Sequence, residues 1–96
     1  MRRGHLEIYI EIISVLAQEG PLKLTHLMYR ANLNCSELKK DLVFLVKQGL
    51  VEERTIGRAK TVFAITQRGV NVLKYFRQLK QVVPIAEEVR NQGIPL

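Results

Sequence analysis

The sequence predicts a mainly α fold that carries one small β-hairpin, an α+β class, and three observations predict it. Apolar residues recur at helical spacing from His5 to Glu19, from Leu24 to about Arg30 and from Asn34 to Gln48. Between Leu50 and Ile65 the pattern changes to β-branched residues on either side of a glycine-containing turn. A last amphipathic stretch follows Thr66. Ninety-six residues build one core, and no separate sensor domain is expected beside it.

The first helix ends at Gly20-Pro21, where glycine takes a left-handed cap and proline cannot continue the ladder. Its polar stripe is narrow, made of Glu7, Glu11, Ser14 and Gln18. Leu6, Tyr9, Ile10, Ile12, Ile13, Leu16 and Ala17 cover most of the remainder, with Ile8 and Val15 at the margins. An apolar arc that wide needs two neighbours: the domain core, and either the C-terminal helix or a second protomer. Leu22-Lys23 reads as a short strand, and Leu24, Leu27 and Met28 begin a short second helix. Ala31-Asn32-Leu33 turns the chain, with Asn32 suited to a left-handed position.

The third helix, Asn34 to Gln48, opens on a capping box in which Asn34 accepts near Glu37 and Glu37 reaches back, and it stops at Gly49. Leu38, Leu42, Leu45 and Val46 fall on one side, and Ser36, Lys39, Lys40, Val43 and Lys47 on the other. The hairpin runs from Leu50 to Ile56, turns at Gly57-Arg58-Ala59-Lys60 and returns from Thr61 to Ile65. Thr66 then caps a long helix in which Val72, Phe76, Leu79, Val83 and Ala86 recur at spacings of four and three. Pro84, followed by Glu87 and Glu88, predicts a break or kink near Val83, a short helix to about Arg90 and a frayed tail. The expected division is a core at residues 1–66, with its hairpin at 50–65, and a dimerisation segment at 67–96.

The formal charge of +6 points towards a polyanion: DNA, RNA or an acidic membrane surface. It is unevenly placed: from Arg54 to Lys80 there are seven bases and no Asp or Glu. That segregation favours a binding surface over a merely solvated face. The single cysteine excludes an intrachain disulfide framework, and no apolar run reaches the ~18 residues of a membrane span. Glu7 and Glu11 interrupt what would otherwise follow Met1-Arg2-Arg3 as a leader, so a cytoplasmic protein is expected.

The order helix, short strand, helix, turn, helix, hairpin, helix resembles the winged helix-turn-helix. Three segments carry the likeness locally: Gly20-Pro21-Leu22, Lys47-Gln48-Gly49-Leu50-Val51-Glu52-Glu53 and Phe63-Ala64-Ile65-Thr66-Gln67-Arg68-Gly69. The segment Leu27-Met28-Tyr29-Arg30-Ala31-Asn32-Leu33-Asn34 is similar to one in small archaeal winged-helix proteins, among them chromatin-associated proteins that dimerise through a C-terminal antiparallel coiled coil. Pro84 departs from their smoother last helix. The resemblance implies a homodimeric double-stranded DNA-binding protein, nucleoid-associated, acting as transcription regulator or chromatin component.

On that reading Asn34 to Gln48 enters the major groove. Ser36, Lys39 and Lys40 are the candidates for base edges or phosphates, Val43 meets a thymine methyl, and Lys47 lies nearer the backbone. Arg58 and Lys60 at the hairpin tip reach the adjacent minor groove, while Arg54 at its base and Arg30 on the second helix contact phosphate. Ile10, Ala17, Val72, Phe76, Leu79, Val83 and Ala86 are the expected dimerisation residues. Lysines without an arginine on the reading helix imply modest sequence specificity.

Other classes find less support. Cys35, beside lysines at a helix start, fits an inert, partly buried side chain better than a redox sensor. His5, His26 and Cys35 lack zinc-ligand spacing, and no phosphate loop or catalytic set is present, so no metal, cofactor, small-molecule effector or enzymatic activity is expected. Tyr9, Tyr29, Phe63 and Phe76 read as packing groups, not as a base-stacking platform. The alternatives are a winged-helix adaptor in a protein assembly, which has no need of so much one-signed charge, and an RNA-binding module, which shares the charge.

Overall fold

A computed structural model of the chain describes residues 4–91, with side chains as far as Val82. The elements are α1 (His5–Glu19), α2 (Leu24–Ala31), α3 (Cys35–Lys47), β1 (Val51–Ile56), β2 (Lys60–Ile65) and α4 (Gln67–Asn91).

Each boundary has a local cause. Gly20, at φ 81°, caps α1 by donating its N–H to the Leu16 carbonyl at 3.0 Å. Leu22 then pairs with Phe63 through two backbone bonds of 3.0 and 2.8 Å. The expected Leu22-Lys23 strand shrinks to this one bridge, because Lys23 already serves as the N-cap of α2. Asn32 ends α2 in the left-handed conformation, φ 55° and ψ 51°. The buried Leu33 closes the turn by donating to the Met28 carbonyl at 3.1 Å.

Asn34 caps α3 by accepting from the Glu37 N–H at 2.8 Å. Only this half of the expected capping box is among the hydrogen bonds of the described residues. Gly49, at φ 74°, takes the chain out of α3 and into the hairpin. There β1 and β2 pair antiparallel, from Val51 with Ile65 to Ile56 with Lys60. Thr66 caps α4: its Oγ1 accepts from the Gly69 N–H at 3.1 Å and donates to the Gly49 carbonyl at 2.6 Å. One hydroxyl thus ties the exit of α3 to the start of α4. Gly69 itself lies against the Leu50 carbonyl, where an added methyl would overlap that oxygen and stand 2.7 Å from Ile65 Cγ1.

The core is built around α1. Ile12, Ile13 and Leu16 are fully buried with Leu27 of α2, Leu38 and Leu45 of α3 and Val51 of β1. Ile8 and Val15, expected at the margins, are buried as well, whereas Leu6 and Ala17 are exposed. The second neighbour that the wide apolar arc required is α4, which packs on α1 together with α2 and β2.

Helix α4 runs without interruption from Gln67 to Asn91, so the break expected at Pro84 is not found. A proline inside a helix removes one donor, and the hydrogen bonds of the neighbouring turns hold the remainder. The frayed tail expected at residues 92–96 lies outside the described residues. At 1.5 Å per residue α4 is roughly 37 Å long. Its first three turns carry Val72, Leu73 and Phe76 against the core; from Arg77 to Val82 every residue is exposed.

Candidate nucleic-acid interface

Core packing decides which face of α3 remains free. Leu38, Leu42 and Leu45 point inward, which leaves Ser36, Lys39, Lys40, Val43 and Lys47 exposed, Val43 to 63%. Val46, expected in the core, is 38% exposed. It lies at the edge of the buried face, where α3 and the hairpin diverge. Between them runs a groove of about 600 Å³, lined by Leu24, Lys39, Leu42, Val43, Val46, Lys47, Glu53, Thr61 and Phe63. Lys39, Val43 and Lys47 are therefore brought to one surface with the hairpin.

Strand alternation sorts the hairpin residues. Glu53, Thr61 and Phe63 face the groove; Glu52, Arg54 and the buried Val62 share the opposite face. Arg54 is consequently turned away from α3, and its Nε donates to Glu52 Oε1 at 2.6 Å. Arg30 pairs with Glu19, which fastens the end of α2 to the end of α1. Both arginines expected on phosphate thus already hold a carboxylate, although exposed pairs of this kind contribute only ~0–1 kcal/mol and yield readily to a phosphate. Arg58 and Lys60, at the turn opened by Gly57 at φ 66°, are exposed and carry no carboxylate partner among the described residues.

Three features of this region were not read from the sequence. Tyr29, expected to pack, is 85% exposed beside Arg30. Leu27 and Ala31 take the core side of α2, and a residue two positions from each points the other way. Glu53 places a carboxylate with no ion-pair partner among the described residues beside the lysines of the groove. Asp41 is buried at 5% exposure, and its Oδ2 has no hydrogen-bond partner among the described residues. Burial raises its pKa above the ordinary carboxylate range, the Glu37 charge adds to the rise, and His5 opposes it. Nearby, Tyr9 of α1 stacks on Phe44 of α3 with ring centroids 4.7 Å apart, fixing the two helices to each other.

The expected dimerisation residues separate. Ile10 is buried within the chain, and Val72 and Phe76 are half-buried against the core, with Lys80 Nζ 5.4 Å from the Phe76 ring. Ala17 and Leu79 are exposed. The side chains of Val83 and Ala86 lie outside the described residues. Tyr75 and Val82, at 69% and 63% exposure, join Leu79 on the projecting part of α4. Cys35 is half-buried. Among the described residues no cluster of three or more metal-ligating side chains occurs, and no helix is long and apolar enough to cross a membrane.

The fold has close counterparts. The DNA-binding protein Sso10a-2 from Sulfolobus solfataricus superposes with a TM-score of 0.72 at 24% identity, covering 98% of this chain and 99% of that one. A MarR-family transcriptional regulator from Silicibacter pomeroyi gives 0.68 at 20% identity over 92% of this chain and 58% of its own. Lactococcus lactis ZitR, in complex with DNA, gives 0.65 at 15% identity over 98% and 64%. The chain thus spans about three-fifths of the length of these bacterial proteins. At these identities the likeness is one of fold. No curated protein sequence matches the chain. The family described as winged helix-turn-helix matches residues 2–83, in agreement with the helix order, the hairpin and the exposed face of α3, and the chain belongs to that family.

Proposed function

We propose that the protein binds double-stranded DNA as a homodimer and acts as a transcription regulator or chromatin-associated protein of the nucleoid. One observation carries the reading: the exposed face of α3 presents Lys39, Lys40, Val43 and Lys47 beside a hairpin whose tip carries Arg58 and Lys60. A helix of that width fits the major groove of B-DNA, and a basic hairpin beside it meets the flanking backbone or minor groove. Correspondence over nearly the whole of both chains with Sso10a-2, described as a DNA-binding protein from Sulfolobus solfataricus, supports the DNA-binding part of this reading. ZitR, solved in complex with DNA, supports DNA binding by the shared fold.

The dimer in this reading is supported by α4, whose Tyr75, Leu79 and Val82 project apolar surface beyond the core. Binding titrations with duplex DNA, single-stranded DNA and RNA at two salt concentrations test the reading. The expected order places duplex DNA first, with strong weakening at higher salt. Replacing Lys39 and Lys40 by Ala is expected to weaken duplex binding by roughly tenfold, in proportion to the phosphate charge lost, with unchanged thermal stability. Unaltered affinity would remove α3 from the interface; preference for RNA, or no nucleic-acid binding at all, would favour the module or adaptor readings.

A further inference from the structure

We propose that Val43 and Val46 form a methyl-reading surface on α3, so that the protein prefers thymine-containing steps in the major groove. The inference rests on the duplex-binding reading above and adds to it a source of sequence preference. From Cys35 to Lys47 the helix has no Arg, Asn or Gln, so paired hydrogen bonds to guanine or adenine fall to Lys39, Lys40 and Lys47 alone, which also serve phosphate. Its outward centre is instead hydrocarbon: Val43 is 63% and Val46 38% exposed, and both face the groove floored by Leu42 and Phe63.

The thymine C5-methyl is the apolar group that base edges present in the major groove, and it is the partner these valines suit. Lys39 and Lys47 flank the patch on α3 and outnumber Glu53 on the hairpin side of the groove, so the occupant it fits is apolar at its centre and anionic where it meets the α3 lysines. A thymine step between two phosphate strands has that arrangement. Residues three apart on a helix are separated by ~4.5 Å along its axis, close to the ~3.4 Å step between base pairs, so the pair spans one or two adjacent steps.

The test compares one duplex containing thymine with the same duplex containing deoxyuridine, which lacks only the methyl. Wild-type protein is expected to bind the uracil duplex about fourfold more weakly for each methyl contacted, the factor given by burial of one methyl-sized group. The doubly substituted protein, Val43→Ser with Val46→Ser, is expected to fold normally because both sites are solvent-facing, and to bind the two duplexes equally. Equal wild-type affinity for both duplexes, or discrimination that survives the substitutions, overturns the inference while leaving duplex binding intact. An unchanged thymine-to-uracil ratio combined with an altered oligomeric state assigns this face to a contact between copies, which also overturns it. Failure to bind either duplex defeats the underlying reading instead.

Discussion

At the scale of single residues, Asp41 has the clearest energetic consequence. A buried carboxylate oxygen without a partner costs about 1–3 kcal/mol, and Asp41 Oδ2 is in that condition. Burial and the Glu37 charge hold its folded pKa above the unfolded value, so the native state binds the proton more tightly. The linked contribution is complete below the unfolded pKa and is lost as pH rises through the folded one. Asp41→Asn is therefore expected to stabilise the protein at pH 7 by about 1 kcal/mol, ~4–8 °C in Tm for a domain of this size. The gap should close on acidification, as the wild-type carboxyl takes up its proton. Thermal melts at neutral and acidic pH check this, and a gap that stays constant with pH would show that the Asp41 charge carries no burial cost. The position was legible: 38, 41, 42 and 45 follow the i, i+3, i+4, i+7 spacing of a core face, and a polar residue occupies one of those slots. Reading α3 by residue type alone passes over it. Tyr29 and Val46 failed in the opposite direction, as apolar or aromatic residues assigned inward on type when the packing partners of α2 and α3 leave them outside.

At the scale of elements, boundaries were far more legible than side-chain burial, because each boundary rests on a local backbone requirement. Gly20, Asn32, Gly49 and Gly57 take the positive φ their positions demand, and Asn34 and Thr66 supply cap oxygens. Pro84 was misjudged by the same local logic: a helix of 25 residues absorbs the loss of one donor. The fold also depends on ties between elements that no local pattern shows. Thr66 is one, since its hydroxyl both caps α4 and holds the Gly49 carbonyl at the end of α3. Thr66→Ala is expected to cost about 1–2 kcal/mol, and Thr66→Ser to recover most of it. Chemical denaturation of the three proteins measures this directly. A loss that serine fails to restore would place the effect in the lost methyl group and not in the two hydrogen bonds.

At the scale of the whole molecule, the question is how a protein of 96 residues with few base-reading side chains obtains useful affinity. Lys39, Lys40, Lys47, Arg58 and Lys60 give each protomer five exposed cations near the proposed interface. Two protomers that neutralise about ten phosphates give a slope of about −9 in log affinity against log salt, whereas one protomer gives about −4.5. The oligomeric state is thus written into the salt dependence. An apolar surface for association is offered by the Tyr75, Leu79 and Val82 stripe of α4, exposed where the helix leaves the core. Ile10, by contrast, is spent within the protomer. Leu79→Ser with Val82→Ser is therefore expected to leave the folded domain intact, convert a dimer to a monomer in sedimentation at on the order of tens of micromolar, and halve the salt slope together. Wild-type protein that sediments as a monomer under those conditions, or a slope no steeper than about −4.5, would remove the dimer, and a slope shallower than about −3 would remove the basic patch itself. A dimer unaffected by the substitutions would move the interface off this stripe. The two readouts are independent, one reporting mass and the other the number of phosphates engaged. Their joint change is the signature of a dimer that places two reading helices on one duplex, because association through a surface unrelated to DNA binding would alter the mass and leave the slope where it was.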